Sequence, residues 1–231
     1  MKTIGLIGGL AWPSTITYYT TINRLVSQSL GPHHSARLIL AQTDFHPLLH
    51  FIRSKDWPSL AKELLALCKQ LENAGADFIV IACNTVHKVL PLIEDEISLP
   101  VVHIVDATVD KIQELGIPKV GLIGSPLTMT DGYFVERLVE RGVEVVVPDD
   151  SDRRMIHRAL GEEFALGIFL PETRERFLAV IGRLVERGAE GVVLGCTEFG
   201  RLFETGESEE GVLLIGTAEV HCEVAVKVAL A

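Results

Sequence analysis

Ala76-Asp77-Phe78-Ile79-Val80-Ile81-Ala82-Cys83-Asn84-Thr85 reads as a buried strand that delivers a thiol to a polar turn. Phe78 to Ala82 is a continuous apolar run, too short for a helix, with Gly75 before it and Asn84 after it. That is the pattern of a strand covered on both faces. The stretch has a second copy, Gly188-Ala189-Glu190-Gly191-Val192-Val193-Leu194-Gly195-Cys196-Thr197-Glu198. In both, a Gly-Ala-acid triplet precedes an apolar run, a cysteine and a threonine-bearing turn.

Working outward, other strand ends repeat in the same order. Gly5-Leu6-Ile7-Gly8 recurs as Gly121-Leu122-Ile123-Gly124, Cys83 as Cys196, and the position of Asp106 as Gly216. The displacement shortens from 116 to 113 to 110 residues, as expected for one unit duplicated with small loop deletions. Apolar strands at Thr3–Gly9, Ala36–Ala41, Leu99–Val105, Lys119–Gly124, Val143–Val147 and Val212–Ile215 alternate with helical patterns. The helices are expected at Ser59–Asn73, His87–Ile93, Asp131–Glu140, Asp150–Leu160, Pro171–Arg187 and from Thr217 onward, with Asp44–Arg53 a His-rich connection. Residues 204–211 read as a polar loop whose acidic run, 207–210, is solvated surface. The fold class is α/β: two pseudo-symmetric Rossmann-like domains, each a parallel sheet covered by helices. The expected boundaries are 1–98 plus 208–231 for the first domain and 99–207 for the second. Ligands of open α/β sheets bind beyond the carboxyl ends of the strands, so the expected site is a cleft with Cys83 and Cys196 on opposite walls.

Composition excludes several classes. The 231 residues are 48% hydrophobic and 23% charged, with a formal net charge of −10, which argues against nucleic acid or an anionic membrane surface as partner. No apolar run reaches the roughly 20 residues of a membrane helix. Met1-Lys2-Thr3 leads directly into a strand without an export segment, and the four cysteines form no C-x-x-C pair. The expectation is a reduced, cytoplasmic protein. Cys68 and Cys222 lie on apolar helix stripes and read as core. His87 and His221 do not complete a metal-ligand spacing, and His33, His34, His46 and His50 read as solvated. No metal and no cofactor is expected.

Two thiols facing one carbon suit proton exchange: a thiolate abstracts from one face and a thiol donates to the other, inverting the centre. An unperturbed thiol has a pKa of about 8.5, and the helix starts expected after both cysteines would lower it. N–H groups there, with Thr85, Thr197 and the Asn84 amide, could hold a carboxylate or amine. Ser14, Ser125 and Thr128 lie at the other strand-to-helix turns, and Glu198 could orient a thiol or bind an amine.

These motifs resemble the aspartate/glutamate (Asp/Glu/hydantoin) racemase superfamily over essentially the whole chain. The carriers are Ile7-Gly8-Gly9 with Trp12, Ser14 and Thr15, then Ala82-Cys83-Asn84-Thr85-Val86-His87, then Gly195-Cys196-Thr197-Glu198. The resemblance implies a cofactor-independent amino acid racemase, with Cys83 and Cys196 as acid and base. It also implies substrate-binding roles for Asn84, Thr85, Thr197, Glu198, Ser125, Thr128, Ser14 and Leu10, and a homodimer. Strict aspartate racemases carry an arginine where this chain has Asp44-Phe45-His46-Pro47, and a lysine where it has Ala165-Leu166-Gly167. Gly216 replaces an aspartate of several relatives. The chain looks more like the broad-specificity amino acid racemase branch, so aspartate is not the expected substrate. Same-scaffold alternatives are a maleate cis–trans isomerase or a hydantoin racemase; a non-catalytic small-molecule binding protein is the alternative from another class.

Overall fold

The structure is a computed structural model that describes residues 1–203, 208–209 and 211–231, and all their side chains except those of 165, 208 and 209. Of the expected polar loop, residues 204–207 and 210 lie outside the described residues, and with them half of the acidic run. The chain divides into two compact units, Met1–Ile104 with Ala218–Ala231, and Val105–Thr217.

In the first unit, β1 (Ile4–Gly8), β2 (Leu38–Gln42), β3 (Phe78–Ile81) and β4 (Val101–Val102) form a parallel sheet in the order β2-β1-β3-β4. Strand residues alternate between two cores. Ile7, Ile79 and Ile81 pack with Leu60, Leu64 and Leu71 of α3 (Trp57–Asn73). Ile4, Leu6, Phe78 and Val80 pack with Tyr18, Ile22 and Val26 of α1 (Trp12–Leu30). The His-rich connection is in fact a helix, α2 (Phe45–Ser54). Asp44 caps it by accepting from the His46 N–H, and Leu48 is buried beneath it, which leaves His46 and His50 exposed.

The second unit repeats the plan. α4 (Ile104–Glu114) leads to β5 (Lys119–Gly124), then α5 (Pro126–Thr130), α6 (Tyr133–Glu140) and β6 (Glu144–Val146). Next come α7 (Asp150–Glu162), α8 (Pro171–Glu186), β7 (Gly191–Gly195), β8 (Ser208–Glu209) and β9 (Val212–Gly216). The order is β6-β5-β7-β9-β8, parallel except for the two-residue edge strand β8. Setting β8 aside, the strands of each sheet run second, first, third, fourth. The duplication read from the sequence is thus a duplication of topology.

The boundaries differ from the expected ones by one strand, β4, at the first crossing and by two, β8 and β9, at the second. β4 pairs with β3 and stays in the first sheet, and β9 pairs with β7 and stays in the second. Each repeat closes with its fourth strand, and the chain changes unit at the helix that follows. α4 therefore belongs to the second unit, where Asp106 takes a bidentate pair from Arg137 (2.7 Å each) and Asp110 takes Arg141 (2.9 Å). α9 (Thr217–Leu230) belongs to the first unit from Ala218 onward. Its Ala218, Cys222, Ala225, Val226 and Ala229 lie at helical spacing in the β1–β3 core, and their small side chains let the helix lie close to the strands. Among the described residues no helix is long and apolar enough to cross a membrane.

Candidate functional site

In a strand order of second-first-third-fourth, the chain leaves the first strand in both directions, so a crevice opens between the first and third strands at their carboxyl ends. The turns there are Gly8–Ser14 and Cys83–Thr85 in the first unit, and Gly124–Thr128 and Cys196–Glu198 in the second. Ten predicted site residues fall in these four turns. Each cysteine shares its crevice with the glycine turn of its own unit.

The first-unit turn is tightly built. Gly9 has φ 78, and a Cβ there would lie 2.0 Å from the Thr43 carbonyl oxygen, so only glycine fits. Its N–H donates to Thr15 Oγ1 at 2.8 Å, and Thr43 N–H donates to the Gly8 carbonyl at 3.2 Å. Ala11, at φ 84 and ψ 103, carries strain that a non-glycine residue holds only where its surroundings enforce it. Ser14 is buried, and the Leu10 side chain lies in the core, so at Leu10 the turn offers backbone. Across the crevice Cys83 is half-buried, Asn84 buried and Thr85 half-buried.

In the second unit Ser125 caps α5, accepting from the Thr128 N–H at 3.2 Å. The two hydroxyls are 3.0 Å apart, and Tyr133 extends the chain with its hydroxyl 3.4 Å from Thr128 Oγ1. Cys196 Sγ donates to Glu198 Oε2 at 2.9 Å, and Thr197 Oγ1 donates to the same oxygen at 3.1 Å. Phe199 anchors this turn, buried against Phe177 at a centroid distance of 5.2 Å. Thr217, at the end of β9, donates to the Leu194 carbonyl at 3.0 Å.

Neither cysteine precedes an α-helix. Both turns are 3-10, Thr85–Leu92 and Thr197–Arg201, closed by i+3 bonds such as His87 N–H to Asn84 O (3.2 Å) and Phe199 N–H to Cys196 O (3.1 Å). Pro91 lacks the N–H that continuing the first as an α-helix would need. Both cysteines therefore stand at the start of a 3-10 turn rather than an α-helix, and at Cys196 the thiol donates to a neighbouring carboxylate. The other cysteines are inert core. Burial pushes the Cys68 thiol up to about 12, with Glu72 adding to it, and burial raises that of Cys222 further.

Sequence reading missed a buried polar cluster beneath Cys83. The Tyr18 hydroxyl meets His221 Nδ1 at 2.8 Å, and His221 Nε2 meets the Val102 carbonyl at 2.8 Å. A carbonyl only accepts, so Nε2 carries the proton and Tyr18 donates to Nδ1. Burial, then the neighbouring His87, hold the His221 pKa down to about 3. Burial raises that of Tyr18. The unfolded imidazole titrates near 6.5, so below that pH the unfolded chain binds a proton that the folded chain refuses, and stability falls as pH drops. Between pH 7 and pH 5 His221 costs on the order of 2 kcal/mol. Urea denaturation of wild type and His221→Gln at both pH values checks this: wild type loses that much more than the variant. The carboxylates held low, Asp56, Glu72 and Asp149, titrate below this window, and Glu219 is common to both proteins.

The model of the Asp/Glu/hydantoin racemase family matches residues 7–225. A crystal structure of a candidate Asp/Glu racemase from Yersinia pestis is similar with a TM-score of 0.92 at 40% identity, both chains covered in full. An aspartate racemase homologue from Pyrococcus horikoshii OT3 gives 0.88 at 32%, again over both whole chains. The broad specificity amino-acid racemase RacX of Bacillus subtilis (strain 168) is 24% identical over 160 residues, 68% of this chain and 67% of its own length. The glutamate racemase of Aquifex pyrophilus is 33% identical over 96 residues, which are 41% of this chain but only 37% of that enzyme. On these matches and its two repeated α/β units, the chain belongs to the Asp/Glu/hydantoin racemase family.

Proposed function

We propose that the protein is an amino acid racemase in which Cys83 and Cys196 exchange the α-proton of one substrate without a cofactor. The observation that carries this reading is their equivalence. Each cysteine ends the third strand of a sheet with the same strand order, beside a glycine turn and a threonine. One cysteine, as thiolate, takes the α-proton and becomes a thiol; the other, as thiol, returns a proton to the opposite face and becomes the thiolate. The carbon is inverted, the proton count is unchanged, and the enzyme is left ready for the reverse reaction. For Cys196, Glu198 is the acceptor that can take the thiol proton, and Thr197 steadies the same carboxylate. Asn84, Thr85, Ser14, Ser125 and Thr128 are the candidate partners of the substrate's carboxylate and amine.

Similarity to RacX and the departures at 44–47 and 165–167 favour an amino acid without a side-chain carboxylate. Proton NMR in deuterium oxide over a panel of L- and D-amino acids tests this. The expected result is loss of the α-proton signal together with inversion for several neutral amino acids. Exchange confined to hydantoins would move the protein to another reaction of the family. No exchange on any amino acid would sink the reading.

A further inference from the structure

We propose that His87 is a positioning residue that fixes the main chain of Cys83 and ties it to the point where the chain leaves the first unit. The proposal deepens the racemase reading, since it concerns one of its two thiols. His87 is 1% exposed and lies one 3-10 turn beyond Cys83. Its Nδ1 is 2.7 Å from the Cys83 carbonyl oxygen, and its Nε2 is 3.4 Å from the N–H of Ile104. The carbonyl only accepts, so Nδ1 carries the proton; the amide only donates, so Nε2 presents its lone pair. One neutral ring thus bridges the cysteine to the first residue of α4, whose N–H has no partner within its own helix.

This arrangement commits both ring nitrogens to main-chain atoms. A proton on Nε2 would face the Ile104 N–H and break the bridge, and Nδ1 is committed to a carbonyl. The ring is also gripped from its sides. It packs edge-on to His103 at 4.8 Å and to His221 at 5.7 Å, and His221 is itself pinned between Tyr18 and the Val102 carbonyl. Val102, His103 and Ile104 are the last residues before the chain passes to the second unit, and His221 follows the return crossing at Ala218. The exit crossing is therefore bonded through His87 to the Cys83 carbonyl, and the return crossing is bonded through His221 to the Val102 carbonyl beside the exit. What this device can supply is a fixed main-chain position for one thiol.

Three variants test it, because two amides mimic the two halves of the ring. His87→Asn places an amide nitrogen near the position of Nδ1, His87→Gln reaches toward Nε2, and His87→Ala supplies neither. The readout is iodoacetamide modification of Cys83 relative to Cys196 in the same molecule, followed by peptide mass spectrometry, with Cys196 as internal control. In His87→Ala the Cys83 rate rises about fivefold as the thiol leaves its half-buried position, while Cys196 stays within about a factor of two. His87→Asn restores the wild-type ratio and His87→Gln does not. On whichever substrate the panel identifies, kcat falls about a hundredfold in His87→Ala with little change in KM. An unchanged Cys83-to-Cys196 ratio in a folded His87→Ala protein overturns the proposal, as does His87→Asn behaving like His87→Gln. If the alanine variant does not fold, the Asn–Gln comparison decides alone. A shifted ratio in a protein that exchanges no amino acid proton would remove the racemase reading and leave the positioning role standing.

Discussion

Cys83→Ser and Cys196→Ser each lower inversion by about a thousandfold, the range lost when a positioned acid or base is removed. A hydroxyl at either place is too weak an acid to serve as thiolate or thiol near neutrality. The two variants are expected to differ in what they keep. With one thiol left, the enantiomer whose α-proton faces it still loses that proton to solvent, and a deuteron is delivered to the same face. Cys83→Ser therefore washes out one enantiomer without inverting it, and Cys196→Ser washes out the other. Chiral chromatography of the deuterated products separates exchange from inversion. Either single variant inverting at a rate near wild type would end the two-thiol mechanism. Both sites are half-buried, so the substitutions leave the melting temperature nearly unchanged.

Gly9→Ala has the largest expected effect on stability. Its methyl would sit 2.0 Å from the Thr43 carbonyl oxygen and 2.8 Å from the Thr43 nitrogen, main-chain atoms that cannot rotate away. Its φ of 78 adds the strain of a left-handed L-residue. Steric displacement and strain together amount to about 3–5 kcal/mol, or roughly 10 °C in melting temperature for a chain of this size. Gly142→Ala is the control: φ is 82 there, close to that of Gly9, but the space beside it is open. Its cost is the strain alone, about 1–2 kcal/mol. Differential scanning calorimetry of the two variants separates the terms, and equal melting temperatures would show that the β1 turn can yield.

The paired cysteines were legible because each carries its own local signal, a triplet, an apolar run and a threonine turn, and the second copy repeats the first. Strand existence was legible for the same reason. What failed was set by partners distant in the chain. Val101 to Val105 reads as one strand from its β-branched residues, yet the strand covers only Val101–Val102 and α4 starts at Ile104, whose N–H is taken by His87. α2 is masked in the sequence by Pro47 and two histidines, and its cap, Asp44, reads there as part of a connection. The Tyr18–His221 bond joins residues 203 apart, a pairing that no local pattern announces.

The placing of α9 also sets an order of events on the ribosome. Tyr18, Ile22, Phe78 and Val80 are synthesised early, but the Ala218–Ala229 face that covers them emerges only after the entire second unit. The nascent first unit must therefore wait with one side of its sheet incompletely clothed, a natural landing place for a chaperone. The second unit meets no such delay, because α4 is made before every one of its strands.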